Sequence, residues 1–292
     1  MIEPLPSAVA VGNFDGYHLG HQQLIKRLRA LAENMELSAR VLTFRPNPKV
    51  YFGRSIPLIF TDQQKARILR SQKVDEVIFQ PFGRIAHLSA KEFVCRFLIS
   101  RLGMRALVVG ENFRFGAGRT GDTDFLKDMA FSEGFHLEVV PSLTCNNGRV
   151  SSSRIRELLL RGDVEEAAHL LGRHYFIDGV VVSGEGRGRK LGFPTINLRT
   201  ENQVLPNGVF ATRVEWKNKL FPAVTNIGSS PTFSRSVRKV ETHIIDFDQQ
   251  IYQNQVRLHF LYKLRNEFRF DTAAELVAQI RHDVRKAFVD KN

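Results

Sequence analysis

Two histidines stand three residues apart in a glycine-rich segment near the start of the chain, Gly12-Asn13-Phe14-Asp15-Gly16-Tyr17-His18-Leu19-Gly20-His21. The segment follows a short apolar run, Ala8 to Val11, and precedes a helical pattern, which places His18 and His21 at a predicted helix N-terminus. The first N–H groups of a helix and its dipole favour anions. The imidazoles can add directed hydrogen bonds to a phosphate oxygen, and the glycines let a polyphosphate approach the backbone. The segment therefore indicates phosphate chemistry.

Two other interpretations of the histidine segment stay open from the residues alone. The histidines could be surface side chains beside an ordinary turn, or they could bind a metal ion, since histidine is a common ligand. Their spacing is not the i, i+4 pair of a zinc-protease helix, and no cysteine cluster accompanies it. The whole string after a predicted strand resembles the signature of the HxGH nucleotidyltransferase superfamily, which implies a nucleotide phosphate as the anion.

The elements that position this segment follow from an alternation of apolar runs and helical patterns up to about Leu171, which predicts a parallel sheet covered by helices. The predicted strands are Ala8 to Val11, Ala39 to Phe44, Glu76 to Phe79, Ala106 to Gly110 and His136 to Val140. The predicted helices are Gly20 to Glu33, Asp62 to Ser71, Ala90 to Arg101, Asp122 to Ser132 and Ser152 to Leu160. Ligands bind beyond the carboxyl ends of such strands, so the histidine segment, Phe44 to Pro48 and Gly110 to Gly121 should converge.

The pattern changes after Leu171, where β-branched and aromatic runs follow one another without long helices between them. These runs predict an antiparallel sheet or small barrel. They are Ile177 to Ser183, Gly208 to Val214, Phe221 to Ile227, Lys239 to Phe247 and Val256 to Leu264. A last helix is predicted from Thr272 to Phe288. The predicted fold class is thus α/β plus β, with domains at residues 1–172 and 173–292.

Two further segments of the first domain combine glycine, hydroxyl and guanidinium groups. Gly110 to Asp122 ends a predicted strand and contains four glycines, two arginines and the aromatics Phe113 and Phe115, so it could hold a phosphate and a flat ring. Arg149 to Arg156 opens a predicted helix with serines and arginines, which favours an anion. A serine-rich helix start is usually only a cap, but its place after the fifth strand favours a role beside the histidines.

A second phosphate site is predicted in the C-terminal domain. Gly184 to Leu198 follows a predicted strand and supplies glycines and positive charge, and then a threonine and an asparagine two residues apart. If Thr195 to Leu198 is extended, Thr195 and Asn197 point to the same face and could bind one Mg²⁺ through oxygen. The segment is neither a Walker motif nor a protein-kinase loop, and a hairpin turn is the ordinary explanation of such a glycine-rich loop.

Taken together, these strings resemble the bifunctional bacterial riboflavin kinase/FMN adenylyltransferase family, also called FAD synthetase, nearly end to end. The resemblance implies that the N-terminal domain transfers the adenylyl group of ATP to FMN. It implies catalytic roles for His18, His21 and Arg156. It implies nucleotide or flavin contacts at Gly12, Asn13, Phe14, Asp15, Gly110, Asn112, Arg149, Ser152 and Ser153.

The C-terminal domain resembles the riboflavin kinase of this family in Gly192 to Leu198, Asn226 to Phe233 and Val240 to Phe247. By position, Glu241 corresponds to the carboxylate that takes the proton of the riboflavin 5′-hydroxyl. Thr195 and Asn197 correspond to residues that serve ATP and Mg²⁺. Further nucleotide or flavin contacts are implied at Gly186, Arg189, Gly192, Pro194, Asn226 and Arg265.

One string departs from the family pattern. Thr43 to Pro48 carries Arg45 where many members have an acidic residue, and Asn47 where they have a histidine. This difference motivates an alternative function, a riboflavin kinase with weakened or lost adenylyltransferase activity. A flavin- or nucleotide-binding regulator is a third possibility, and the presence of the histidine pair and Glu241 disfavours it because a pure binder needs neither.

Composition limits the remaining classes. The net charge of +12 indicates polyanionic partners, and the positions of the basic residues in glycine-rich strings favour discrete phosphate pockets for nucleotides over nucleic acid. The chain has only two cysteines, which is too few for a disulfide framework. It has no uninterrupted apolar stretch of membrane-spanning length, so we predict no membrane segment. We expect a cytoplasmic enzyme that uses Mg²⁺ with ATP, riboflavin and FMN as substrates, and that is a monomer or a weak homo-oligomer.

Overall fold

A computed structural model gives the fold of the chain, and it describes residues 4–145, 148–184, 186, 188, 191–229 and 238–288. The chain folds into two compact units. The first unit comprises Met1–Pro57 and Asp62–Ser152, and the second comprises Leu58–Thr61 and Ser153–Asn292. Among the described residues, no helix combines the length and the apolar character needed to cross a membrane.

A five-stranded sheet forms the centre of the first unit. Its strands are β1 (Ser7–Val11), β2 (Ser38–Arg45), β3 (Glu76–Pro81), β4 (Met104–Gly110) and β5 (His136–Val140). They lie in the order β3-β2-β1-β4-β5, and every neighbouring pair is parallel. The strand order reverses between β1 and β4, which opens a crevice at their carboxyl ends. The predicted parallel sheet is confirmed.

The two central strands, β1 and β4, are buried on both faces, which explains why they are almost continuously apolar rather than alternating. In β1, Val9 and Val11 belong to one core cluster, whereas Ala8 and Ala10 belong to another. The alanine face leaves room for the first helix, whose Leu28 is fully buried in the same cluster. Successive residues of one strand therefore anchor the layers on both sides.

Seven α-helices lie between residues 19 and 171 of the described chain, and five of them were predicted. They are α1 (Leu19–Asn34), α2 (Pro48–Tyr51), α3 (Asp62–Arg70), α4 (Ala90–Glu92), α5 (Thr123–Glu133), α6 (Ser152–Arg161) and α7 (Val164–Leu171). The predicted α-helix from Ala90 to Arg101 is α-helical only in α4 and continues as a π-helix over Phe93–Arg101. A small hairpin, β6 (Thr144–Cys145) and β7 (Gly148–Arg149), precedes α6.

Six antiparallel strands of the second unit close into a barrel. They are β8 (Phe176–Val182), β9 (Ile196–Thr200), β10 (Gly208–Trp216), β11 (Lys219–Ser229), β12 (Arg238–Ile244) and β13 (Gln255–Arg265). The order around the barrel is β10-β11-β12-β9-β8-β13. The predicted small antiparallel barrel is confirmed, and β9 extends the segment that the sequence suggested only from Thr195 to Leu198.

Polar threonines occupy part of the barrel interior. Thr212, Thr225 and Thr242 are fully buried, and their hydroxyl oxygens lie 2.8 and 2.9 Å apart along the row. This chain of hydrogen bonds satisfies groups that would otherwise be costly to bury. Outside the barrel, the last helix, α8 (Ala273–Phe288), buries Ala287 against a cluster that includes Leu264. The predicted C-terminal helix is confirmed.

Candidate active sites

The segment from Gly12 to His18, here called the histidine loop, connects the end of β1 beside the crevice to the start of α1. Phe14 and Tyr17 adopt positive φ angles of 49° and 41°, which are uncommon for bulky side chains. Both side chains are buried in the core cluster that also contains Leu28. Strained backbone of this kind persists where the surrounding structure fixes it. The core therefore holds the loop in one shape at the carboxyl end of β1.

The two histidine rings stack on each other at the start of α1. Their centroids are 3.7 Å apart and their planes differ by 17°. His18 is buried and takes the N-cap position, and the ring of Phe14 lies 5.2 Å from that of His21. A Cβ atom on Gly20 would lie 3.3 Å from the His18 ring, so glycine leaves the pair its room. The structure brings both predicted histidines together at a helix N-terminus.

A polar cluster follows β4 on the other side of the crevice. The Asn112 amide donates to Ser142 Oγ at 3.1 Å and to Glu111 Oε1 at 3.0 Å. Hydrogen bonds from the Ser142 side chain and backbone lower the pKa of Glu111, and Asn112 and the charge of Arg149 add to this shift. Asn112 and Arg149, both predicted as nucleotide contacts, therefore act on one ionised carboxylate at the ends of β4 and β5.

The first residue of α6 is tied to the histidine loop. The Ser152 hydroxyl donates to the Asp15 carbonyl oxygen at 2.8 Å, and Asp15 is buried. Ser153 and Arg156 follow on α6, and both belong to the second unit. Of the predicted α6 residues, Ser152 thus lies in the first unit with the histidine pair.

The aromatic residues in the segment that follows β4, Gly110 to Asp122, pack mainly against other side chains. Phe115 is buried in a core cluster and pairs with Gly121 across an isolated β-bridge. Phe113 stacks on it with ring centroids 5.3 Å apart. Phe115 is therefore not available to stack on a ligand, so the expectation that this segment could hold a flat ring rests on Phe113.

A different aromatic group is exposed after β2, and the sequence analysis missed it. Tyr51 and Phe52 are 46% and 68% exposed, and each contacts the Phe82 ring edge to face at 5.2 and 5.7 Å. Edge-to-face pairs of this kind hold rings in fixed orientations. The signal that could have found them is a pair of adjacent large aromatics in the short segment that follows a predicted strand.

The two residues that depart from the family pattern have local partners. Arg45 Nε lies 2.6 Å from Asp62 Oδ2, and Asn47 Oδ1 caps α2 by accepting from the Lys49 N–H at 3.0 Å. Asp62 also faces Lys65, a buried lysine on α3 that the sequence analysis missed. The available signal was its position four residues before the core residue Leu69, on the inner face of the helix.

Three predicted kinase residues lie side by side on neighbouring strands of the barrel. Glu241 of β12 is directly opposite Asn226 of β11 and Asn197 of β9. The next residue, Thr242, is fully buried inside the barrel, so Glu241 and its two neighbours occupy the outer face. The register therefore places one carboxylate between two amide side chains.

The glycine-rich loop before β9 lies against the predicted metal ligands. A Cβ atom on Gly184 would be 2.0 Å from the Asn197 amide nitrogen, and one on Gly188 would be 3.2 Å from Thr195 Oγ1. Only glycine allows the backbone to approach these side chains so closely. Gly184 and Gly188 thus lie against the two oxygen-bearing side chains in the second unit.

His243 fixes the segment that carries Thr195. Its Nδ1 atom lies 2.8 Å from the Pro194 carbonyl oxygen, and because a carbonyl only accepts, Nδ1 carries the proton of this hydrogen bond. Its ring also contacts the Phe193 ring edge to face at 5.4 Å. His243 lies two residues after Glu241 on the same face of β12, and it was not predicted as a site residue.

Asn226 contributes an unsatisfied group beside Glu241. Its amide nitrogen lies 3.3 Å from Glu267 Oε1, but its Oδ1 atom is buried and has no hydrogen-bond partner within the described part of the chain. Buried carbonyl oxygens are normally paired, so this atom is suited to a ligand. Arg265, in contrast, is held by Asp283 of α8 at 3.0 Å and stacks on Phe268.

A cavity of about 250 Å³ opens beside Thr195. Its lining combines apolar and polar groups, including Ile196, Ile244, Phe247 and Tyr252. Gly186 and Gly192, both predicted contacts, have positive φ angles of 69° and 83°. Arg189 and the string from Pro231 to Phe233 lie outside the described residues.

Comparison with known proteins places the chain in a family. A family model described as FAD synthetase matches residues 2–154, and one described as Riboflavin kinase matches residues 171–289. The bifunctional riboflavin kinase/FMN adenylyltransferase of Haemophilus influenzae is 38% identical over 285 residues, which cover 96% of this chain and 92% of that one. This chain belongs to the bifunctional riboflavin kinase/FMN adenylyltransferase family. The Escherichia coli K12 member is 35% identical over 280 residues, which cover 94% of this chain and 90% of that one.

A solved structure has the same fold over nearly the whole chain. The crystal structure described as a macrolide-efflux protein from Streptococcus pneumoniae gives a TM-score of 0.88 at 31% identity and covers 95% of this chain and 92% of that chain. The efflux description belongs to that protein. The resemblance inferred from the sequence, the predicted fold class and the predicted bifunctional enzyme are confirmed, whereas the roles of individual residues and the boundary at residue 172 stay predictions.

Proposed function

We infer that this chain catalyses two consecutive steps of flavin cofactor synthesis. Riboflavin and ATP give FMN and ADP, and FMN and a second ATP give FAD and pyrophosphate. The observation that carries this function is the match of two family models, FAD synthetase and Riboflavin kinase, to successive parts of the chain. We assign adenylyl transfer to residues 1–172 and riboflavin phosphorylation to residues 173–292.

In adenylyl transfer, an oxygen of the FMN phosphate attacks the α-phosphorus of ATP and pyrophosphate leaves. The FMN phosphate is ionised at neutral pH, so the attack requires no protein base. The protein must instead hold the reactants in line and stabilise charge on the phosphoryl oxygens. We propose that His18, His21 and Arg156 do this. The stacked histidines at the N-terminus of α1 support the assignment.

The remaining residues of this site are proposed to bind the substrates. They are Gly12, Asn13, Phe14, Asp15, Gly110, Asn112, Arg149, Ser152 and Ser153. For the flavin ring, the exposed faces of Tyr51 and Phe52 offer an aromatic surface at the end of β2, on the same edge of the sheet. Flat rings stack favourably on such side chains.

In riboflavin phosphorylation, the 5′-hydroxyl oxygen attacks the γ-phosphorus of ATP and ADP leaves. A neutral alcohol gains from a base, and we propose that Glu241 accepts its proton. The alignment of Glu241 between Asn197 and Asn226 supports this role, since the buried Asn226 oxygen beside it can accept from a second substrate hydroxyl. Gly186, Arg189, Gly192, Pro194 and Arg265 are proposed as further contacts.

A divalent metal fits the second site. Thr195 and Asn197 carry hard oxygen donors, and the glycines that approach them leave space that any other side chain would fill. We propose that these two residues hold Mg²⁺, which when bound neutralises charge on the ATP phosphates. The adjoining cavity, which Thr195 lines, is then suited to the adenine ring of the same ATP.

Two alternatives gain no support from the comparisons. A kinase with weakened adenylyltransferase was motivated by Arg45 and Asn47, which here have an ion pair and a capping role of their own. A non-catalytic regulator would not need Glu241 or the histidine pair. We further propose a cytoplasmic location, since Cys95 and Cys145 are both free thiols. A monomer or weak homo-oligomer without nucleic acid or membrane partners stays a prediction.

A time course distinguishes these functions. Purified protein is incubated with riboflavin, ATP and Mg²⁺, and riboflavin, FMN and FAD are separated by chromatography at intervals. We expect FMN to rise first and FAD to follow. Accumulation of FMN without FAD would instead establish the weakened adenylyltransferase, and unchanged riboflavin with tight binding would establish the regulator.

A further inference from the structure

Lys65 is a buried cation at the carboxyl edge of the first sheet. It is 7% exposed, and its Nζ atom lies 3.4 Å from each of three oxygens. These are the Asn13 carbonyl oxygen, the Thr43 hydroxyl and Asp62 Oδ1. The Thr43 hydroxyl itself donates to the Asn13 carbonyl at 3.2 Å. One ammonium group thus connects β2 and α3 to the loop that carries the histidine pair.

The burial of this charge carries a cost that needs a reason. Burial lowers the pKa of the Lys65 ammonium, the charges of Asp62 and Asp15 oppose that shift, and Arg45 adds to it. A simple core position would be filled at lower cost by an apolar residue. Asp62 does not require the lysine, because Arg45 already lies 2.6 Å from its other carboxylate oxygen. The contact specific to Lys65 is therefore the one with the histidine loop and its neighbour Thr43.

Asn13 directly precedes Phe14, the first of the residues with positive φ in the loop. Its carbonyl oxygen is the point at which the loop leaves the sheet. A fixed orientation of this peptide sets the direction of the next residues and hence the place of His18 and His21 at the helix start. The proposal that follows rests on the adenylyltransferase activity inferred above.

We propose that Lys65 is a positioning residue for adenylyl transfer, whose buried ammonium group holds the Asn13 carbonyl against Thr43 and so keeps the histidine loop in the shape that receives ATP.

Lys65→Met tests this with a side chain of similar length and no charge. FAD formation from added FMN should lose about a hundredfold in kcat/KM for ATP, since a misplaced catalytic loop has an effect of this order. FMN formation by the same protein should keep its kcat and KM. The exposed Lys91 on α4 supplies the matched control, and Lys91→Met should leave both reactions unchanged. Wild-type kcat/KM for FAD formation in Lys65→Met would overturn the proposal.

The pH dependence separates positioning from simple packing. Four groups face the Lys65 side chain: Asp62 on its own helix, Asp15 in the loop, Arg45 on β2 and the Phe79 ring on β3. As pH rises through the lowered pKa, the ammonium loses its proton. The rate of FAD formation should therefore begin to fall at a pH below the range in which an ordinary lysine titrates. Lys65→Arg stays charged, and its alkaline fall should move to higher pH. If the alkaline fall in the rate of FAD formation stayed at the same pH in Lys65→Arg as in the wild type, the role would be refuted, even if Lys65→Met failed to fold.

Wild-type protein that formed no FAD at all would contradict the proposed function rather than the role of Lys65. Equal loss of FMN and FAD formation in Lys65→Met, with a lowered melting temperature and an unmoved limb in Lys65→Arg, would reduce Lys65 to a structural residue.

Discussion

The roles proposed for His18, His21 and Glu241 belong to reactions that differ in what the attacking group needs. The FMN phosphate is already an anion, so the first site is built from donors and a helix N-terminus that stabilise negative charge. The riboflavin hydroxyl is neutral, so the second site places a carboxylate between two amides. Substitutions at these residues should therefore separate the two reactions.

His21→Ala should sharply lower FAD formation while FMN formation stays at the wild-type rate. The substitution removes one ring of the stacked pair and its directed donor, and a loss of about a hundredfold or more is expected from removal of such a group. Parallel assays of FMN from riboflavin and of FAD from added FMN measure both rates. Equal loss of the two products would contradict separate sites.

Glu241→Gln should give the opposite pattern. The amide keeps the shape of the side chain but cannot accept the hydroxyl proton, so FMN formation should fall about a hundredfold or more. FAD formation from added FMN should continue at the wild-type rate. Normal phosphorylation of riboflavin by this variant would refute the assignment of Glu241 as the base.

At the scale of elements, register decides which side chains can act together. β12 is antiparallel to both β11 and β9, and this pairing brings Asn226, Glu241 and Asn197 into one row although they are far apart in sequence. α8 is tied to the end of β13 by the ion pair between Arg265 and Asp283, in which the carboxylate is 3% exposed. This buried pair thus adds to the apolar packing of α8 in holding the C-terminal helix against the barrel.

Asp283→Asn should lower the free energy of unfolding of the barrel by about 3 kcal/mol, because Arg265 loses its buried counter-ion. Urea denaturation followed by fluorescence reports on this unit alone, since Trp216 on β10 is the single tryptophan of the chain. Asp271→Asn, at an exposed carboxylate shortly before the same helix, is the control and should change little. A shift below about 0.5 kcal/mol in Asp283→Asn, as at ordinary surface sites, would contradict this account.

At the scale of the whole molecule, the chain joins two enzymes whose reactions run in the order opposite to their order in sequence. The second site makes FMN, which the first site consumes. Each unit has a hydrophobic core of its own, so each site should remain intact when the other is inactivated.

A mixture of His21→Ala and Glu241→Gln proteins should convert riboflavin to FAD. FMN made by the first variant can diffuse to the adenylyltransferase site of the second. Chromatography of the products over time measures this, with each variant alone as the control. Absence of FAD from the mixture, with both single activities intact, would mean that FMN is not released between the two steps.

Local sequence determined most of the elements and the chemistry of this protein. Continuous apolar runs predicted the parallel strands, because a strand buried on both faces has no polar side. The histidine string and Gly184 to Leu198 predicted the two phosphate sites, because the conformational freedom of glycine and the free N–H groups of a helix start depend on only a few neighbouring residues. The short helices α2 and α7 were missed and β9 was anticipated only in part, since their patterns compete with loop signals on either side.

Only the tertiary structure decided which distant residues meet. Lys65 looks like an ordinary helical lysine until packing places its ammonium between β2 and the loop that carries the histidine pair, and Phe115 looks like a ligand platform until it is seen in the core. His243 and Pro194 are 49 residues apart, and their hydrogen bond exists because two antiparallel strands pair in one register. Short-range sterics and hydrogen bonds determine local conformation, whereas burial and long-range pairing depend on the whole fold.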